Sequence, residues 1–384
     1  MEDKDSARLP EHFGRVSRRD FLKFCAVATA TMGLPLGAAV RIAEAVASPA
    51  RPPVIWLSGQ ECTGCTETLL RSGHPTVEHL ILDLISLDYH ETLSTPSGHL
   101  AEQAKKKSMA AHKGKFILVV EGAIPTKDGG VYCQIGGRPM VDILKETAPQ
   151  AMGIVAIGSC AAWGGIPSAD PNPTGAVGVQ QALGGKATVI NIPGCPPNPY
   201  NFLSTVLYIL TFNKLPDLDK QGRPKFAYAH MIHEQCERRP HFDAGRFALA
   251  FGDEGHRQGW CLYKLGCKGP ETANNCPAML FGDVGSRSWP VGTGAPCFGC
   301  SEKGVGFAAP VLAQASLQKV TPPDVCAPTV VEDRGGGPGL ATVGVGAGLA
   351  GAALGAGAMT AWKLGQVHVE SSESSDSGEE AGKE

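Results

Sequence analysis

The stretch PVIWLSGQECTGCTE, residues 53–67, sets an apolar, β-branched run directly before two cysteines three positions apart. PVIWL (53–57) reads as a buried strand, and residues 66–71 read as the start of a helix. The same order recurs down the chain. KFILVVEG (115–122), GIVAIG (153–158) and ATVINI (187–192) are further apolar strands. Residues 101–111, 139–147 and 200–212 have helical character, the second of these opening on a proline in its first turn. Strands alternating with helices predict an α/β fold, a parallel sheet covered on both faces.

The thiols fall at telling places on that map. Cys62 and Cys65 follow the first strand, Cys160 follows GIVAIG, and Cys195 follows ATVINI. In an open α/β sheet the carboxyl ends of the strands share one edge, where ligands bind, so these four cysteines are expected to converge. Zinc and a [4Fe–4S] cluster both accept four thiolates, and a lone CxxC can also form a redox disulfide. The glycines in CTGC, GSC and PGC fit two roles. They free backbone N–H groups to approach a bound cluster, or they serve turn chemistry.

Beyond Pro216 the periodicity lapses, and 6 of the 13 cysteines fall between positions 236 and 300. His233 and Cys236 form HxxC, Cys261 and Cys267 lie downstream, then Cys276 in NNCP and Cys297 and Cys300 in CFGC. A segment with so little apolar patterning draws its folding free energy from metal centres, or alternatively from disulfides. The N-terminus weighs against disulfides. SRRDFLK (17–23), an apolar stretch (24–40) and Ala45-Val46-Ala47 match a twin-arginine (Tat) export signal, a route for proteins already folded around cofactors. An amphipathic helix bearing two surface arginines is the plainer alternative. The far end, 340–362, carries no charge and is long enough to span a bilayer core of roughly 30 Å, unless it is a Gly-rich linker. An acidic tail, 363–384, follows. With a net charge of −3 over 384 residues, the chain offers no electrostatic footprint for nucleic acid.

Taken together, ECTGCTE, ISLDYHETL (85–93), GSCAAWGG (158–165), IPGCPPNP (192–199), HxxC, NNCP and CFGC resemble the small, electron-transferring subunit of membrane-anchored nickel–iron uptake hydrogenases. The resemblance covers nearly the whole chain. It implies a Tat signal peptide (1–47), a flavodoxin-like domain (51–215), a loop-rich iron–sulfur domain (216–330), a C-terminal transmembrane helix (340–362) and a disordered tail (363–384). It assigns Cys62, Cys65, Cys160 and Cys195 to a proximal [4Fe–4S] cluster. His233, Cys236, Cys261 and Cys267 correspond to a distal [4Fe–4S] cluster, and Cys276, Cys297 and Cys300 to a medial [3Fe–4S] cluster with Pro290 in place of a fourth thiolate.

By the same resemblance the active site, with its nickel–iron centre, lies on a partner large subunit, and this chain contributes no catalytic residue. Electrons from H2 would pass through the three clusters to a membrane cytochrome b, another quinone-linked subunit or a c-type cytochrome, on the periplasmic side of the cytoplasmic membrane. Glu61, Glu67 and Tyr89 sit in motifs near the expected large-subunit face; hydrogen bonding to the backbone is the plain role for either acid, a proton relay the sharper one. Oxygen-tolerant members of the family carry two extra cysteines where this chain has Gly64 and Gly165. Two readings from other classes stand beside this one: a thioredoxin-like thiol oxidoreductase and a zinc-stabilised interaction module.

Overall fold

In the computed structural model, the structure describes residues 25–26, 28–30, 32–35, 37–47, 51–73, 80, 85–280 and 289–317. The arginine pair of the export motif, Cys326, the apolar segment 340–362 and the acidic tail lie outside these residues. All described residues belong to one compact unit, Met1–Ala327.

Five strands form the central sheet: β1 (Pro53–Ser58), β2 (Ser86–His90), β3 (Ile117–Glu121), β4 (Gly153–Ile157) and β5 (Val189–Ile192). Their order is β2-β1-β3-β4-β5 and every pairing is parallel. This is the flavodoxin-like order, which reverses between β1 and β3 and opens a crevice at the carboxyl ends of those strands. The four apolar runs became β1, β3, β4 and β5. The strand β2 carries the mixed sequence SLDYH and was not legible as a strand.

Side chains alternate across the sheet with period two, and each face has its own core. Val54, Trp56, Ile117, Val119, Val155, Ile157, Ile190 and Ile192 pack under Phe202, Leu203, Val206 and Leu207 of the helix Pro199–Phe212. That helix starts where the Asn198 side chain accepts the Tyr200 N–H at 3.0 Å and ends where Asn213 turns left-handed at φ 50°. On the other face Ile55, Leu57, Leu118, Val120 and Ala156 meet Met109 of helix Gly98–Ala111 and Met140, Ile143 and Leu144 of helix Met140–Thr147.

The segment read as the end of the export signal is helical over Ala38–Ala47. Its Ile42 is buried with Tyr200 and Leu207 in the first core, and the Arg41 guanidinium lies 4.7 Å from the centre of the Phe212 ring. Among the described residues no helix is long and apolar enough to cross a membrane.

Past Phe212 regular structure dwindles to single turns, including Ile232–Gln235 and Arg239–Asp243. A third, small core holds this half together. It contains Ile232, Ala248, Leu262, Leu265, Trp289, Val291 and Cys297, with Cys236, Cys267 and Cys276 packed against it. Four of its members are therefore cysteines expected to be ligands.

Candidate metal centres

The carboxyl edge of the sheet gathers Cys62, Cys65, Cys160 and Cys195, as the strand map requires. β1 runs into the CTGC loop, β4 into the short helix Gly158–Trp163 that carries Cys160, and β5 into the PGC loop. Burial drives the Cys65 thiol strongly up, helped first by the Glu121 carboxylate and then by Cys160, Cys195 and Cys62. Burial also pushes Cys160 up to about 11. Thiols this reluctant to ionise become thiolates when a soft metal takes the proton's place.

The loops around these sulfurs are shaped for glycine. Gly158 adopts φ +85°, and a Cβ there would overlap the Cys65 sulfur. A Cβ on Gly165 would stand 2.6 Å from the Cys160 sulfur, and one on Gly64 3.2 Å from the Cys62 sulfur.

One supporting residue has no counterpart in the sequence reading. Glu121, at the end of β3, is 1% exposed. Its Oε1 accepts the N–H groups of Cys65 (3.0 Å) and Thr66 (3.3 Å), while Oε2 accepts Trp56 Nε1 (3.2 Å) and the Thr66 hydroxyl (2.5 Å). An acid closing an otherwise apolar strand was the available signal. Behind it, His90 Nδ1 accepts the Thr92 N–H at 3.2 Å, so the proton sits on Nε2, which faces the Thr66 hydroxyl at 3.1 Å. Burial lowers His90 to about 4 and keeps it neutral.

Glu61 and Tyr89 of the first motifs take local roles. Glu61 accepts the Thr63 backbone N–H, the plain hydrogen-bonding role, and burial raises its carboxyl pKa. The Tyr89 hydroxyl donates to Glu102 at 2.9 Å.

His233, Cys236, Cys261 and Cys267 line one small pocket, together with Arg238, Leu262 and Val291. His233 packs edge-on against Phe242 with ring centres 4.5 Å apart, and its Nε2 is buried with no hydrogen-bond partner. Burial lowers this imidazole to about 4, leaving the neutral form that binds metals. The Arg238 N–H points at the Cys236 sulfur, 3.4 Å away. An orphaned ring nitrogen and three thiols around one cavity suit a soft polynuclear group.

Burial pushes Cys276 and Cys300 up to about 12 and 11; Cys300 adds to the rise at Cys276, and both act on Cys297. These three also join the other two sets. Cys195 acts on the Cys300 thiol, and Cys267 and Cys300 both act on Cys297. The three groups therefore form a line whose successive members are Cys195, Cys300, Cys297 and Cys267. Ser159 reinforces its first step, accepting the Gly194 N–H at 3.0 Å and donating to the Cys300 carbonyl.

The described cysteines are all free thiols. Among the described residues no three His, Cys, Asp or Glu side chains close on one point as a single ion demands. Cys133 packs beside the second core.

Residues 62–209 match the family described as NADH ubiquinone oxidoreductase, 20 Kd subunit. Residues 228–312 match the family that describes the C-terminal part of NiFe/NiFeSe hydrogenase small subunits. The Hydrogenase-2 small chain of Escherichia coli (strain K12) is 53% identical over 355 residues, spanning 92% of this chain and 95% of that protein. The Periplasmic [NiFe] hydrogenase small subunit of Solidesulfovibrio fructosivorans is 50% identical over 287 residues, 75% of this chain and 89% of that one. Among solved structures, the reduced, active Ni-Fe-Se hydrogenase of Desulfomicrobium baculatum aligns with a TM-score of 0.62 at 35% identity, covering 66% of this chain and 95% of that one.

Proposed function

The chain belongs to the small subunits of nickel–iron hydrogenases, and from that premise we propose that it carries electrons from H2 oxidation on a partner large subunit along three iron–sulfur clusters to a membrane-linked acceptor. The observation that carries this reading is the unbroken line Cys195–Cys300–Cys297–Cys267, which leads from the sheet edge to the His233 cavity. A thioredoxin-like enzyme would use two thiols; here eleven donors fall into three adjoining sets.

In this reading Cys62, Cys65, Cys160 and Cys195 hold the proximal [4Fe–4S] cluster, Cys276, Cys297 and Cys300 the medial [3Fe–4S] cluster, and His233, Cys236, Cys261 and Cys267 the distal [4Fe–4S] cluster. When bound, the clusters supply one-electron carriers whose potentials follow ligand charge and hydrogen bonding to sulfur. The protein's own part is to hold and tune them. Glu121 fixes the CTGC backbone through the N–H groups of Cys65 and Thr66. The Arg238 backbone N–H points at the Cys236 sulfur in the distal set. A neutral imidazole in place of one thiolate makes the distal set less negative, which favours its reduced state.

Export by the twin-arginine route, a single span over 340–362 and a cytochrome b, other quinone-linked or c-type acceptor complete the proposal. The deciding experiment is purification of the heterodimer from membranes, with iron, nickel, sulfide and H2-dependent dye reduction measured on one sample. The assignment requires about eleven irons and twelve sulfides per small chain. Zinc without acid-labile sulfide would overturn it in favour of a zinc-stabilised module.

A further inference from the structure

Between the two halves lies a buried ionic hub that none of the cluster motifs contains. The Arg223 side chain, 6% exposed, places Nε 2.7 Å from Asp219 Oδ2 and Nη1 2.8 Å from Glu302 Oε2. Nη1 also reaches the Ser301 carbonyl at 3.3 Å. Glu302 Oε2 accepts the Ala273 N–H at 3.2 Å, its Oε1 accepts Gln221 Nε2 at 2.9 Å, and the Ser301 hydroxyl donates to the Ala273 carbonyl at 3.1 Å. Gly222 and Gln221 in turn offer their carbonyls to the Asn191 N–H and Nδ2, both at 2.8 Å. The guanidinium stacks over Tyr228 at 5.6 Å, and the Tyr228 hydroxyl donates to the Pro193 carbonyl at 2.8 Å.

Three of the segments tied to this hub abut a ligand. Ser301 and Glu302 follow Cys300, Ala273 stands three residues before Cys276, and Pro193 stands two before Cys195. The thiols of Cys276 and Cys300 lie close enough to raise the proton affinity of the Tyr228 hydroxyl, though its burial is the larger cause. A buried pair of this kind gives up hydration that apolar residues would not, so it is a weak source of stability and is better suited to fixing a geometry. Arginine suits the task because its fork donates along Nε and Nη1 at once.

We propose that Arg223 is a positioning residue for electron transfer: through Glu302 and the Ser301 carbonyl it holds the Cys276 and Cys297–Cys300 loops against the Cys195 loop and sets the potential of the medial cluster. The proposal rests on the cluster assignment above. Because one guanidinium faces two carboxylates, removing it leaves uncompensated negative charge beside the medial set, which disfavours the added electron. Removing one carboxylate does the reverse.

The test uses the full-length chain purified with its large partner, followed by potentiometric titration monitored by EPR. Arg223→Met is expected to lower the midpoint of the three-iron signal and Glu302→Gln to raise it, with the proximal and distal midpoints unchanged. Arg223→Lys, which keeps the charge, is expected to return the medial midpoint toward that of the parent. A purely structural role would loosen all three clusters together without these opposed shifts. If Arg223→Met does not assemble, the upward shift in Glu302→Gln decides alone. An unmoved medial midpoint with all three clusters in place, or a common shift of all three, would overturn the proposal. Absence of a three-iron signal from the unsubstituted protein would overturn the ligand assignment itself, and this proposal with it.

Discussion

Gly158→Ala tests whether the loop glycines are a cradle for the proximal cluster or ordinary turn residues. The backbone at 158 sits at φ +85°, a conformation that costs an alanine about 1–2 kcal/mol. The new methyl would also fall inside 3.0 Å of the Cys65 sulfur. Restoring an ordinary contact of about 3.5–4.0 Å moves that sulfur by at least roughly 0.5–1 Å. Metal–ligand distances tolerate only about 0.2 Å, so the shift takes Cys65 out of bonding range rather than stretching a bond. Gly185→Ala is the matched control: φ there is +74° with nothing within 4 Å of the added carbon. Both variants carry the same backbone cost, and only one carries the clash. In the purified heterodimer, Gly158→Ala should lose about four irons and the proximal EPR contribution, and H2-dependent dye reduction with them. Gly185→Ala should keep all three. Full iron content and parental spectra in Gly158→Ala would refute the cradle reasoning, and equal losses in both variants would point to backbone strain alone.

Three more outcomes are expected. Gly64 and Gly165 stand where oxygen-tolerant relatives carry cysteines, so the proximal cluster should show a single redox step and the enzyme should be inactivated by air; sustained H2 oxidation under ambient oxygen would contradict this. Truncation after Gly337 should release active heterodimer from the membrane, and Arg18→Lys with Arg19→Lys should retain it in the cytoplasm; a truncated chain still bound after a carbonate wash would remove 340–362 as the anchor. Burial pushes the Glu91 carboxyl up to about 7, so the folded protein holds a proton that the unfolded chain releases near pH 4.5, and stability falls as pH rises through that window. Glu91→Gln should therefore match its parent at pH 4.5 and exceed it at pH 8 by about 1–2 kcal/mol, read as thermal midpoints; a difference independent of pH would show that burial at Glu91 is not the cause.

The sheet was legible because four of its strands are buried on both faces and so are written as unbroken apolar runs. The convergence of Cys62, Cys65, Cys160 and Cys195 followed from strand ends alone. What the sequence withheld had polar or irregular carriers. β2 is half-buried over Ser86, Leu87 and Asp88 and buried only at Tyr89 and His90, and SLDYH has no apolar run to mark it. Glu121 looked like the last residue of a strand, and only the fold shows that it receives two N–H groups of the CTGC turn. The order of the three sets was invisible as well, because the contacts of Cys300 with Cys195 and of Cys297 with Cys267 join loops with no periodic signal. Arg223 lies in the charged stretch PDLDKQGRPK, where an arginine commonly belongs to a solvated surface; its contacts with Glu302 and Ser301 join loops far apart in sequence.

The Ser159 hydroxyl occupies a small but consequential position. It sits beside Cys160, accepts from the residue before Cys195 and donates to the carbonyl of Cys300. An electron's chance of crossing a gap falls steeply as the gap widens, so a route built from loops on separate halves would flicker as those halves drift. Here a single oxygen belongs to the loops on both sides of the first gap. A displacement of one loop is handed to the others, and the width of the crossing is kept while the protein around it breathes.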